Sequence, residues 1–234
     1  MSLRPGPLLA GKITVVTGAG EGTGRGIAGA FGAHGATVVI TDLDPARLAE
    51  TADAIAAHGG KVIPVVAHIS RPGDVDRLAD LAGEVDVLVN SAGPAVPSAA
   101  PFLESGEEDW EGLYETNLKQ VLLCCRTMIP GMVARSRGGS VINVSATEGT
   151  PGSRHAVHSA FQGAVTRFTR TLAAELGEHR IRVNAIRVDA VAAERDGPDR
   201  SDDLAGVALF LASDLSALVT GTAIRASGRP RGQG

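Results

Sequence analysis

"ITVVTGAGEGTGRGIAGAFGAHGATVVITD", Ile13 to Asp42, is the stretch that decides the fold. "ITVVTG" is a β-branched run ending in glycine and reads as a buried strand. "GRGIAGAFGAHG" reads as a helix closing on Gly35, and "ATVVITD" is the next strand. Between the first strand and the helix lies "TGAGEGTG", Thr17 to Gly24. Gly18, Gly22 and Gly24 allow a tight turn and a close backbone approach to a pyrophosphate. Gly20, Glu21 and Thr23 complete the loop. The N-terminus of the helix supplies N–H groups and a positive partial charge to the same anion. Asp42, at the end of the second strand, is placed to bond the hydroxyls of an adenosine ribose. Leu43 follows it where an arginine would favour a 2′-phosphate, and Glu21 adds a negative charge inside the loop. NAD is therefore expected over NADP.

The alternation continues outward. "DPARLAETADAIAAHG" is a helix with Asp44 as N-cap and Pro45 at its first position. Then follow strand "KVIPVVAHI", helix "GDVDRLADLAGE", strand "VDVLVNSAG" and a long helix from about Trp110 to Arg135. Strand "GSVINVSA", helix "HSAFQGAVTRFTRTLAAELGEH", strand "RIRVNAIRV", helix "DDLAGVALFLAS" and strand "GTAIRAS" complete the chain. The strands lack polar alternation, as a parallel sheet covered on both faces requires. The pattern predicts an α/β fold: a Rossmann-type doubly wound sheet of about seven parallel strands with helices on both faces. A single domain is expected over 1–228, with 229–234 as a flexible tail.

The 234 residues are 44% hydrophobic and 21% charged, with net charge -4 and no long run of one sign. That balance gives a nucleic-acid or anionic-membrane partner no electrostatic support. Cys124 and Cys125 are adjacent in an apolar stretch, which suits reduced core thiols and matches neither a disulfide framework nor metal spacing. No metal site is expected. No apolar run reaches membrane-spanning length, and "MSLRPGPLLAGK" is too broken by proline and glycine for a signal peptide. A cytoplasmic location is expected.

These residues resemble the short-chain dehydrogenase/reductase family from about Gly11 to Gly228. The resemblance rests on the glycine loop, "NSAG" at Asn90 to Gly93, "YETNL" containing Asn117, and "GSVINVS" at Gly139 to Ser145. "IRVNAI" at Ile181 to Ile186 and the ending "LFLASDLSALVTGTAIRASG" add to it. It implies a nicotinamide cofactor held by the loop, Asp42, Asn90, Ala92 and Gly93, and a homodimer or homotetramer paired through the helices after Trp110 and His158. It also implies four catalytic side chains, an Asn, a Ser, a Tyr and a Lys. The Asn is present as Asn117. In register, the Ser falls on Ala146, the Tyr on His158 and the Lys on Gln162. The lone tyrosine is Tyr114, and the three lysines are Lys12, Lys61 and Lys119, so the chain contains no Tyr-x-x-x-Lys. Ser145 and Thr147 flank Ala146. Val188, Asp189 and Ala193 replace the family's Pro, Gly and Thr after the sixth strand. His68 replaces the acid that contacts the adenine.

Three functions follow as expectations. The first is an NAD(H)-dependent oxidoreductase on a small alcohol or ketone. His158 would exchange the proton, since imidazole titrates near ~6.5 against roughly 10 for tyrosine. Gln162 would bond ribose hydroxyls, Asn117 would hold a water and Ser145 or Thr147 would polarise the carbonyl. The second is a catalytically silent nucleotide-binding or structural subunit. The third is lyase or isomerase chemistry in the same cleft, using His158 with Glu148 or Asp189.

Overall fold

The computed structural model describes residues 6–91, 101–146, 156–188 and 198–226, the side chains of 198–203 excepted. Seven strands form one parallel sheet: β1 (Ile13–Thr17), β2 (Thr37–Asp42), β3 (Lys61–Val66), β4 (Val87–Asn90), β5 (Gly139–Ala146), β6 (Ile181–Val188) and β7 (Ala223–Ala226). Their spatial order is β3-β2-β1-β4-β5-β6-β7. The order reverses between β1 and β4, which pair from Thr14–Val87 to Val16–Val89. In such sheets a crevice opens at the carboxyl ends of the two strands flanking that reversal, and ligands bind there.

The helices are α1 (Gly22–Ala33), α2 (Pro45–Ala57), α3 (Pro72–Ala82), α4 (Glu107–Tyr114), α5 (Gln120–Arg135), α6 (Ala156–Glu175) and α7 (Pro198–Ala212). On one face of the sheet Ile27 and Phe31 of α1, Leu48 and Ile55 of α2, and Ala208 and Leu211 of α7 enclose Val16, Val38, Ile40 and Ile142. On the other face Val75 and Leu78 of α3, Cys124, Met128 and Met132 of α5, and Val165 of α6 enclose Val15, Val39, Leu88 and Val141. Both faces of the central strands are thus covered, which is why those strands read as unbroken apolar runs. β3 departs from the pattern. It is an edge strand, with Ile63 and Val66 exposed and Pro64 within it. Proline lacks an N–H to donate and is tolerated at a sheet edge.

The caps follow the sequence closely. Asp44 accepts hydrogen bonds from the N–H groups of Ala46 and Arg47 at 2.9 and 3.2 Å, with Pro45 opening α2. The stretch expected as one helix from about Trp110 runs from Glu107 to Arg135 and is interrupted by a π-helical turn over Glu115–Lys119. A π-turn shifts the backbone ladder by one residue, and side chains meet the carbonyls around it. Thr116 Oγ1 donates to Gly112 O at 2.8 Å, Asn117 Nδ2 donates to Leu113 O at 2.9 Å, and Gln120 Nε2 donates to Thr116 O. The turn presents Asn117 to the cleft.

Candidate functional site

The glycine loop runs from the end of β1 into α1. Gly18 and Gly22 have φ of 61° and 55°, a region that side chains rarely adopt. Gly24 is fixed by space: a Cβ there would stand 2.1 Å from Gly18 O. The first turn of α1 can therefore lie directly on the strand end, with its orphan N–H groups turned to the loop. Glu21 is the N-cap residue but makes no side-chain cap, which leaves those donors available to an anion. This cradle fits a pyrophosphate. Thr51 Oγ1 of α2 donates to Ala19 O at 2.9 Å and anchors the loop from beneath.

Asp42 lies beside the loop as expected. Its Oδ2 accepts the N–H of Gly20 at 2.9 Å and its Oδ1 accepts the N–H of Asp44 at 3.1 Å. Each oxygen retains a lone pair for a ribose hydroxyl. Glu21 Oε2 lies 2.5 Å from a guanidinium nitrogen of Arg47, which also lies 3.3 Å from Asp44. Thr23 sits half-buried in the first turn of α1. His68 follows β3, where its Nδ1 meets Ser70 Oγ at 2.8 Å.

Asn90 ends β4 opposite Asn143 of β5. Its Nδ2 donates to Asn143 Oδ1 at 2.8 Å, and Asn143 Nδ2 donates to Thr169 Oγ1 of α6 at 2.9 Å. This buried relay ties both strands to α6 at the mouth of the crevice. Asn90 thus has a structural duty beside any contact with a cofactor.

At the other end of the crevice, α6 brings His158 and Gln162 one turn apart onto the π-turn and the end of β5. His158, Gln162 and Asn117 are all buried. Gln162 Oε1 accepts the N–H of Ala146 at 2.8 Å. A backbone N–H only donates, so this contact fixes which way the amide points. Gln162 Nε2 then donates to Asn117 Oδ1 at 2.8 Å and lies 3.4 Å from His158 Nε2. Asn117 is oriented as firmly, because its Nδ2 donates to Leu113 O and to Thr116 Oγ1. With the amide so oriented, His158 Nε2 faces a donor, which a neutral ring would meet as an acceptor. The amide expected to face ribose hydroxyls is engaged by protein groups on both sides. Asn117 likewise directs its side chain at Gln162 and its own helix.

Ser145 shares the α6-facing side of β5 with Asn143, two residues earlier. It is buried, and its hydroxyl oxygen has no hydrogen-bond partner among the described residues. Ala146 occupies the following position on the opposite side. Ala92, Gly93, Thr147, Glu148, His155, Asp189 and Ala193 lie outside the described residues. Arg47 and Thr51 went unnoticed in the sequence. The only signal for Arg47 was its place three residues after the Asp44 cap.

The short-chain dehydrogenase family model matches residues 12–203. The chain belongs to the short-chain dehydrogenase family. It is 36% identical to 3beta-hydroxysteroid dehydrogenase 1 of Eggerthella lenta, over 94% of each chain. It is 32% identical to human L-xylulose reductase, over 94% of this chain and 96% of that one. A 3-oxoacyl-[acyl-carrier protein] reductase from Brucella melitensis, solved with bound NAD, superposes with a TM-score of 0.86 at 31% identity. That alignment covers 97% of this chain and 96% of the reductase. Among the described residues no helix is long and apolar enough to cross a membrane.

Proposed function

We propose that this chain is an NAD(H)-binding member of the short-chain dehydrogenase family whose cleft does not run a tyrosine-and-lysine hydride transfer. The dinucleotide itself is its functional ligand. One observation carries this reading: the Gln162 amide is held by Ala146, Asn117 and His158. A neutral amide supplies no positive charge to lower a neighbouring pKa, and an engaged one does not reach for a ribose. The loop N–H groups would hold the pyrophosphate and Asp42 the adenosine ribose. The nicotinamide, when bound, supplies a hydride donor or acceptor. The glycine loop and Asp42 support NAD as the dinucleotide, with the acids Glu21 and Asp42 set against a 2′-phosphate. Solved relatives such as the Brucella melitensis reductase hold NAD on the same fold.

A second reading is favoured by the Ser145 hydroxyl, which has no hydrogen-bond partner among the described residues and faces the side of the sheet that carries His158 and Asn117. In it the chain is an oxidoreductase on a small alcohol or ketone. Ser145 polarises the carbonyl and His158 exchanges the proton. One experiment separates the two. The purified chain is titrated with NADH and NAD⁺ by calorimetry, then mixed with a panel of small alcohols and ketones while NADH absorbance is followed. Saturable binding with no substrate-dependent change supports the first reading. Turnover that is lost in His158→Ala establishes the second and refutes the first. No binding of either nucleotide refutes both.

Self-association is part of the same proposal. Phe102 stacks on Trp110 at 5.8 Å, and Tyr114 meets Phe161 of α6 at 6.0 Å. Phe102, Leu103 and Tyr114 all remain exposed. An aromatic surface of this kind suits a second copy of the chain. Two buried free thiols and the absence of a spanning helix among the described residues suit the cytoplasm.

A further inference from the structure

We infer that the Glu21–Arg47 ion pair sets which dinucleotide the crevice accepts, with Glu21 holding the guanidinium that would otherwise receive a 2′-phosphate. The inference rests on the dinucleotide-binding reading above. Arg47 stands in the first turn of α2, and its stem runs along the glycine loop. A Cβ placed on Gly20 would meet Arg47 Cβ at 3.1 Å and Asp42 Oδ2 at 2.9 Å. Loop, acid and arginine therefore converge at the point where the ribose hydroxyls would meet Asp42. A phosphate on the 2′-hydroxyl would extend from that point toward the nearest cation. That cation is already bound by Glu21 Oε2 at 2.5 Å and by Asp44 Oδ2 at 3.3 Å. Arg25 of α1 is likewise engaged, 3.7 Å from Glu50. Four acids, Glu21, Asp42, Asp44 and Glu50, thus surround two arginines, and a phosphate dianion enters a field of net negative sign.

Both partners of the pair are more than half exposed on their side chains, 51% for Arg47 and 70% for Glu21. Exposed pairs contribute little to stability, so Glu21→Gln leaves the fold intact and leaves Arg47 with only its longer contact to Asp44. Guanidinium and phosphate make bidentate, charge-assisted hydrogen bonds, which are among the strong ones. The carboxylate of Glu21 thus acts as an internal stand-in for the phosphate.

The test uses the full chain and two simple probes, adenosine 5′-diphosphate and adenosine 2′,5′-bisphosphate, titrated calorimetrically. In Glu21→Gln the ratio of affinities, 2′,5′-bisphosphate over 5′-diphosphate, rises by about tenfold, the value of one added charge-assisted contact. The gain disappears in the Glu21→Gln/Arg47→Gln double variant and shrinks as salt is raised. An unchanged ratio in Glu21→Gln, or a higher ratio in Arg47→Gln than in the unaltered chain, overturns the inference while leaving dinucleotide binding intact. Failure of the unaltered chain to bind 5′-diphosphate or NADH overturns the underlying reading and this inference with it.

Discussion

Replacing Gln162 by methionine removes the amide while keeping a side chain of similar length. Two groups then lose their partners. The Ala146 N–H loses an acceptor at 2.8 Å, and Asn117 Oδ1 loses a donor at 2.8 Å. Asn117 is 4% exposed, so water does not readily replace that donor. Ala146 is half-buried and closer to solvent, so its orphan costs less. A buried polar group left unpaired costs about 1–3 kcal/mol, and the two together come to about 3 kcal/mol. In a chain of this size each kcal/mol moves Tm by roughly 2–4 °C, so Gln162→Met should melt about 6–12 °C lower. Thermal unfolding followed by circular dichroism measures this. Urea titration with an unchanged slope confirms that the native state, and not the denatured one, has altered. A double-mutant cycle with Asn117→Leu then isolates the pair, with a coupling of about 1 kcal/mol or more expected. A Tm within about 2 °C of the parent, together with additivity within roughly 0.5 kcal/mol, would refute the closed network. With it would go the observation on which the proposed function rests.

Three further outcomes are expected. Gly24→Ala drives a Cβ to 2.1 Å from Gly18 O and so must part α1 from the strand end. It should weaken NADH binding by roughly a hundredfold or more and destabilise the chain by about 1–3 kcal/mol, read by calorimetry and thermal melting. Burial pushes the Cys125 thiol up to about 12 and the Cys124 thiol higher still. Neither should react with a disulfide reagent in the native protein, and both should react on unfolding; fast labelling at neutral pH would contradict their placement. The Asp74 carboxyl is held below its ordinary 3.8, first by the His68 N–H and then by Arg77. A depressed pKa contributes stability above the unfolded value that is lost as pH falls through the folded one. Carboxyl NMR should show Asp74 titrating below the ordinary aspartate value, and Arg77→Ala should move it part of the way back up.

The parts of this molecule governed by short-range rules were legible in its sequence. The βαβ unit from Ile13 to Asp42 needs only β-branched runs, three glycines and a helix start. The Asp44–Pro45 opening of α2 needs two residues. The π-turn at Glu115–Lys119 was not legible, because α4 buries none of its residues and so sets no apolar phase against which an extra residue would show. The Gln162 network was hidden for another reason. Its partners come from β5, the π-turn and α6, and polar contacts between distant elements carry no periodicity. The sequence marked Gln162 as the residue in the lysine's place, expected to bond ribose hydroxyls. The structure shows it as a residue with three partners of its own. Arg47 was overlooked on the same ground, since its partner Glu21 lies on another element, the glycine loop. The exposure of β3 follows from sheet order, which the apolar run Lys61–Val66 does not encode.

The π-turn also fixes a rotational phase. Successive helical residues advance by about 100°, so the one extra residue turns α4 by that angle relative to α5. α5 directs Cys124, Met128 and Met132 into the core, while α4 carries Trp110 and Tyr114 to the aromatic surface. The turn thus works as an angular adapter between an inward and an outward face. Deleting Thr116 would restore an uninterrupted ladder and swing the aromatic surface by about 100° around the axis. It would also withdraw Asn117 from Gln162. One residue of helical phase thereby links the cleft to the surface expected to meet a second copy.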